Sequence, residues 1–302
     1  MNSNIKISFV FVCLAIILSC CTQNIDIPYP DYVEKIVLTG VIQPDSIIKI
    51  RLEKTLPYPA DDSLPAITNA RVVCYENGKL LGPLKPDNRG GYAIAYFPKE
   101  KNAYKIEATY NGQIVTAEDT IPTHSNIAIT MGQNNANNSN NNPDLFLKTE
   151  RKSISYNWIS AIISSKWNGK PDVNSAVIVS SAPIFDTFNA YKQPNGGTSY
   201  DKFARIKPEI LEKISIQFSV NSQVSVVKEK GDMFFFTVSS VSLNYDKYLK
   251  SSLLAFQNRV VDSEGTINNP FATPLPVYSN IKGGIGFFGA MQTERTILKK
   301  IE

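Results

Sequence analysis

From Glu34 onward, hydrophobic positions recur with a period of two. Ile36, Leu38 and Gly40 to Ile42 form a β-branched run, Pro44-Asp45-Ser46 makes a turn, and Ile48, Ile50 and Leu52 alternate with Lys49, Arg51 and Glu53. This is the pattern of a hairpin with one wet face. Val72 and Cys74 share a face ahead of Asn77-Gly78, and Ile106, Ala108 and Tyr110 share one ahead of Asn111-Gly112. Asn-Gly between strand-like runs is a strong hairpin signal, because both residues tolerate positive φ. Between them, Asp87-Asn88-Arg89-Gly90-Gly91 supplies a further turn into Tyr92 to Phe97. Short strands separated by turns, with no helical period, predict an antiparallel sandwich over residues 33–130.

Gln133 to Pro143 is almost all Asn and Gln with nothing to bury, so 131–143 is expected to be a linker. Strand-like runs return at Ser153 to Ser165, Ala176 to Val179, Ile214 to Val220 and Met233 to Leu243. One helix stands out: Tyr245, Tyr248, Leu249, Leu253 and Phe256 recur at helical spacing from Asn244 to about Asn258, with Asn244 placed to cap it. The expected fold is therefore mainly β. An immunoglobulin-like or transthyretin-like sandwich, without the Cys…Trp…Cys core of antibody domains, precedes a β-rich C-terminal domain, 144–302, that carries one amphipathic helix.

The N-terminus departs from this pattern. Phe9 to Leu18 is apolar, follows the single cation Lys6 and ends in Ser19-Cys20, which is the layout of a secretory signal. The run is shorter than the roughly 20 apolar residues that a membrane span needs. Ile17-Leu18-Ser19-Cys20 resembles a bacterial lipobox, so 1–19 reads as a signal peptide and Cys20 as the lipidated residue, with Cys21 the alternative. Residues 20–32, which contain Pro28-Tyr29-Pro30, would then be a tether to a membrane-anchored body.

Composition narrows the chemistry. Of the 302 residues, 43% are hydrophobic and the net charge is +4, which supports a real core and gives no basic run to hold nucleic acid. There are four cysteines; once Cys13 leaves with the signal and Cys20 is acylated, Cys74 is expected as a buried free thiol. Gly284-Ile285-Gly286-Phe287-Phe288-Gly289 spells the dinucleotide-binding pattern. Too little chain follows it for a βαβ unit, so it reads as a final strand with a bulge or a close backbone approach. His124 is the single histidine, which leaves little for a triad or for zinc. Asp61, Asp62 and Asp87 lack calcium-loop spacing, and no cofactor or metal is expected. Trp158, Trp167, Tyr191 and Tyr200 are candidate stacking residues for a ligand. A pair of carboxylates suited to glycoside hydrolysis can come from anywhere in a chain, so that alternative stays open.

Gly231 to Val238, Ser242 to Leu249, Asn269-Pro270-Phe271-Ala272-Thr273-Pro274 and Tyr278 to Ala290 resemble the signature of the DUF4249 lipoproteins of Bacteroidetes. So do the lipobox, the opening strand Lys35 to Gly40, and Pro57-Tyr58-Pro59 before Ile67 to Val72. The resemblance implies an outer-membrane lipoprotein, often encoded beside a TonB-dependent receptor, and it brings no catalytic residues. The expected function is a non-enzymatic, lipid-anchored accessory that binds a nutrient or docks on a TonB-dependent transporter. An envelope assembly protein is the alternative, followed by a glycoside hydrolase.

Overall fold

The computed structural model describes residues 31–57, 63–132, 145–149, 155–167, 170–192, 198–200, 202–208, 214–221, 232–259 and 271–300. The signal-like run, Cys20, Cys21, Asp61, Asp62 and the Asn-rich stretch lie outside the described residues. The chain divides into two compact units, Met1–Val33 with Pro57–Asp61, and Glu34–Leu56 with Asp62–Glu302. All the described strands and the described helix belong to the second unit.

The fold is mainly β, as expected. Its N-terminal part holds β1 (Ile36–Ile42), β2 (Ile48–Lys54), β3 (Arg71–Glu76), β4 (Lys79–Pro83), β5 (Lys85–Pro86), β6 (Gly91–Ile94), β7 (Ala103–Tyr110) and β8 (Gln113–Thr120). The rest comprises β9 (Ile127–Met131), β10 (Leu145–Thr149), β11 (Tyr156–Trp167), β12 (Lys170–Val179), β13 (Ala190–Lys192), β14 (Thr198–Tyr200), β15 (Ala204–Ile206), β16 (Ile214–Asn221) and β17 (Met233–Val241). Helix α1 (Leu243–Gln257) and β18 (Ile285–Lys300) complete it. Among the described residues no helix is long and apolar enough to cross a membrane.

Local sequence explains the first sandwich. Asn77-Gly78 and Asn111-Gly112 both take positive φ, 49° and 78° in each pair, and close the β3–β4 and β7–β8 hairpins. On β2, Ile48, Ile50 and Leu52 are buried while Lys49 and Arg51 are exposed. The four-stranded sheet β4-β3-β7-β8 packs Val72, Cys74, Tyr104, Ile106 and Val115 against Leu38, Ile50 and Leu52 of the other sheet. Cys74 is a free, buried thiol, and burial pushes it up to about 12.

The other sheet does not stop at the end of the sandwich. It runs β5-β6-β2-β1-β18-β17-β11-β12-β16-β10-β9, and its second half curls until β9 comes alongside β18. The inward faces of β9, β10, β11, β12, β16 and β17 enclose a second core containing Ile159, Ile178, Phe218, Phe234 and Phe236. β18 is the common member. Its first residues, Ile285 to Ala290, pair in parallel with Val37 to Ile42 of β1, and Met291 to Lys300 pair antiparallel with β17. Residues 281–290, assigned by sequence to the C-terminal domain, thus give Ile281, Phe288 and Ala290 to the first core.

The glycine pattern finds its explanation here. A Cβ at Gly284 would lie 2.5 Å from Ile36 O, and one at Gly289 2.7 Å from the Tyr245 ring, while Gly286 has φ +111° against Leu38 O. These glycines admit β1 on one side and α1 on the other, which is the close approach in a final strand that the sequence leads one to expect.

Candidate functional site

Helix α1 begins at Ser242, whose Oγ accepts from Tyr245 N at 3.1 Å. The cap is therefore Ser242 and not Asn244, whose amide instead donates to Glu118 O (3.3 Å) and accepts from Tyr278 Oη (2.8 Å). Of the aromatic face expected from the sequence, Tyr245 and Tyr248 pack, Tyr248 stacked on Phe287 at 3.5 Å between centroids, while Phe256 at the far end is 50% exposed. The helical residue that goes fully under, however, is a carboxylate, Asp246. It sits in the first turn, where the helix dipole favours an anion.

Asp246 organises the polar centre of the C-terminal part. Arg205 of β15 grips it with Nε to Oδ1 at 2.7 Å and Nη2 to Oδ2 at 2.6 Å, a bidentate contact that fits the flat guanidinium. Trp158 of β11, the register partner of Arg205, donates Nε1 to the same Oδ1 at 3.0 Å. Tyr156 lies 4.4 Å beneath the guanidinium. The third nitrogen of Arg205, Nη1, contacts Asp186 Oδ2. Arg205 is 5% exposed and Asp246 3% by side chain, so these charges are desolvated and depend on each other.

Asp186 carries the cluster to the surface. Lys207 and Lys250 place their ammonium groups 4.0 and 3.9 Å from the same Oδ2, while Oδ1 accepts from Phe188 N at 3.3 Å. Asp186 also lines a cleft of about 350 Å³, together with the rest of the Ser181–Thr187 loop, Thr198, Tyr200 and Lys207. Its walls are held by backbone contacts: Ser180 N to Thr198 O at 2.9 Å, and Asp186 N to Arg205 O at 2.8 Å.

The four predicted stacking residues separate. Tyr200 borders the cleft but is 1% exposed and packs on Phe185. Trp158 is buried, edge-on to Phe188 and Phe203, where it supports the cluster. Tyr191 is exposed on β13 and is not part of the cleft lining. Trp167 ends β11, and its side chain lies outside the described residues. Sequence reasoning missed Arg205, Asp186, Asp246 and Lys207, which come from separated segments and form no motif.

A second cleft, of about 470 Å³, is lined by Lys105, Glu118, Asn244, Tyr278 and Lys282 among others. Nearby, buried Asp119 accepts from Ser242 Oγ. Burial raises its carboxyl to about 6, against the opposing hydrogen bond from Ser242. The folded protein thus holds this proton more tightly than the unfolded chain, whose carboxyl titrates near 3.8. The resulting stability is fully present below about pH 4 and is lost as pH rises through about 6. Asp119→Asn should flatten that decline, so that the variant-minus-parent difference in unfolding free energy, from urea titrations, grows by up to about 3 kcal/mol between pH 4 and 7. A difference independent of pH would contradict the assignment.

His124 is half exposed, with Nε2 on Glu294 and Nδ1 3.1 Å from Gln292 Oε1. Among the described residues no three His, Cys, Asp or Glu side chains are grouped to hold a metal ion.

Residues 22–297 match a family model described as "Domain of unknown function (DUF4249)", and the chain belongs to that family. A search of curated proteins found no match. Among solved structures, the chain is similar to the collagen adhesin (CNA) from S. aureus, at 8% identity over 87% of this chain and 93% of that one, with a TM-score of 0.21. It is also similar to the major pilin subunit of Bacillus cereus (BcpA), at 10% identity over 89% and 70%, with a TM-score of 0.16.

Proposed function

We propose that this protein is a non-catalytic, lipid-anchored protein of the bacterial outer membrane, tethered through Cys20, that serves as an accessory to a TonB-dependent transporter by binding its nutrient or docking on it. The observation that carries the binding role is the cleft that Asp186 helps to line. It is concave, sits where the 181–187 loop leaves the sheet after β12, and has walls fixed by hydrogen bonds before any ligand arrives. The signal-like N-terminus and the family membership support the anchor and the location.

The disposition of the acids favours binding over hydrolysis. A glycoside hydrolase presents two free carboxyls across a cleft. Here the two neighbouring carboxylates, Asp186 and Asp246, are both engaged by one guanidinium. Asp119, the carboxyl raised toward neutrality, is 7% exposed and bound to Ser242.

The test is capture of the full chain through a C-terminal tag from detergent-solubilised outer membranes, with labelled palmitate in the medium and quantitative mass spectrometry of the eluate. The expected result is label on the parent, none on Cys20→Ala, and a TonB-dependent barrel at near-equal stoichiometry. Recovery of the labelled protein alone would remove the transporter from the proposal, and label retained by Cys20→Ala would move the anchor to Cys21.

A further inference from the structure

We propose that the cleft walled by the Ser181–Thr187 loop, Thr198, Tyr200 and Lys207 binds a small hydroxylated carboxylate of the sugar-acid kind. This rests on the binding role proposed above and names its ligand class. The first step is a charge count over the cluster. Arg205, Lys207 and Lys250 supply three positive charges, and Asp186 and Asp246 two negative ones. Arg205 is spent, since Asp246 holds it in two hydrogen bonds and Asp186 in a third contact. Asp186 is itself a lining residue of the cleft, but its carboxylate is engaged: Oδ2 contacts Arg205 and Oδ1 accepts from Phe188 N. Lys207 touches Asp186 only at 4.0 Å, beyond hydrogen-bond reach, and it is half exposed at the cleft. Among the described residues of this cluster, the surplus positive charge that borders the cleft is therefore the Lys207 ammonium, with its donors directed to no acceptor at hydrogen-bond distance.

The remaining lining sets what the anion looks like. Ser181, Thr187 and Thr198 bring hydroxyls that both donate and accept, and Pro183 adds an apolar edge. One surplus charge suits a singly charged carboxylate better than a doubly charged phosphate, and several hydroxyls suit a polyol. A volume of about 350 Å³ lies in the range of small-molecule sites. Because the walls are already tied through Ser180 to Thr198 and Asp186 to Arg205, little ordering is needed on binding.

The test is calorimetric titration of the full lipidated chain in detergent with sodium glucuronate at low ionic strength, with glucose and inorganic phosphate as comparisons. Saturable glucuronate binding is expected, weakened by added salt and about tenfold tighter than glucose, which lacks the charge. Lys207→Gln should weaken it about tenfold while leaving the thermal midpoint unchanged, since the side chain is half exposed. Glucuronate binding that is absent, or that ignores Lys207→Gln, would overturn the proposal, as would phosphate binding as tightly as glucuronate. A barrel that still co-purifies when glucuronate fails would leave the docking role standing and remove only this ligand.

Discussion

Arg205→Ala is expected to lower the free energy of unfolding by about 4 kcal/mol, which is the scale for removing one partner of a buried ion pair. The loss comes less from the contacts removed than from the charge left behind. Asp246 is 2% exposed on the inner face of α1; without the guanidinium it keeps the Trp158 indole as partner, which does not neutralise it. Asp186 loses its direct partner too and falls back on two lysines at about 4 Å. Urea unfolding followed by tryptophan fluorescence reads the effect directly, because Trp158 touches the cluster and the chain has only two tryptophans. The double variant Arg205→Met with Asp246→Leu should recover a good part of the loss, since apolar side chains of similar size tolerate the burial that a lone carboxylate does not. A single variant that loses less than about 1 kcal/mol, the scale of an exposed ion pair, would mean that water reaches the site and that the cluster is not the centre of this part of the fold.

The cluster also marks where reading the sequence stops. Hairpins at Asn77-Gly78 and Asn111-Gly112 were legible because their cause is local: two adjacent residues that accept positive φ. The alternation along β2 was legible for the same reason, each position reporting its own face. The helix was legible in extent but not in its cap. Ser242 and Asn244 are both good capping residues, and what separates them is remote: Ser242 Oγ donates to Asp119, and Asn244 is drawn away by Glu118 and Tyr278. Arg205, Asp246 and Asp186 lie on β15, on α1 and in the loop after β12, so nothing in their spacing joins them. Aromaticity did point at Trp158 and Tyr200, and both lie beside the cluster. Both are buried: Trp158 donates to Asp246 within the cluster, and Tyr200 packs on Phe185 at the border of the cleft.

Gly286→Ala is the second large effect, expected at about 4 kcal/mol, and it tests whether β18 holds the two cores as one. Two costs combine at this position. The backbone has φ +111°, where an L side chain is strained by about 1–3 kcal/mol, and a Cβ there runs into the carbonyl of Leu38, its register partner on β1. Relief requires β1 and β18 to separate, at an overpacking cost of about 1–3 kcal/mol. Gly112→Ala is the control, since it has φ +78° with nothing within 4 Å of the added Cβ, so strain alone should cost it about 1 kcal/mol. Because β18 pairs with β1 by its first half and with β17 by its second, a loosened Gly286 should be felt on both sides. In a Cys21→Ser background, reactivity of the buried Cys74 thiol reports the first core and Trp158 fluorescence the second. Both should move to lower urea together in Gly286→Ala. A shift of the thiol alone would show that the second core keeps its share of β18 without the first, and that the continuous sheet joins two independently stable bodies.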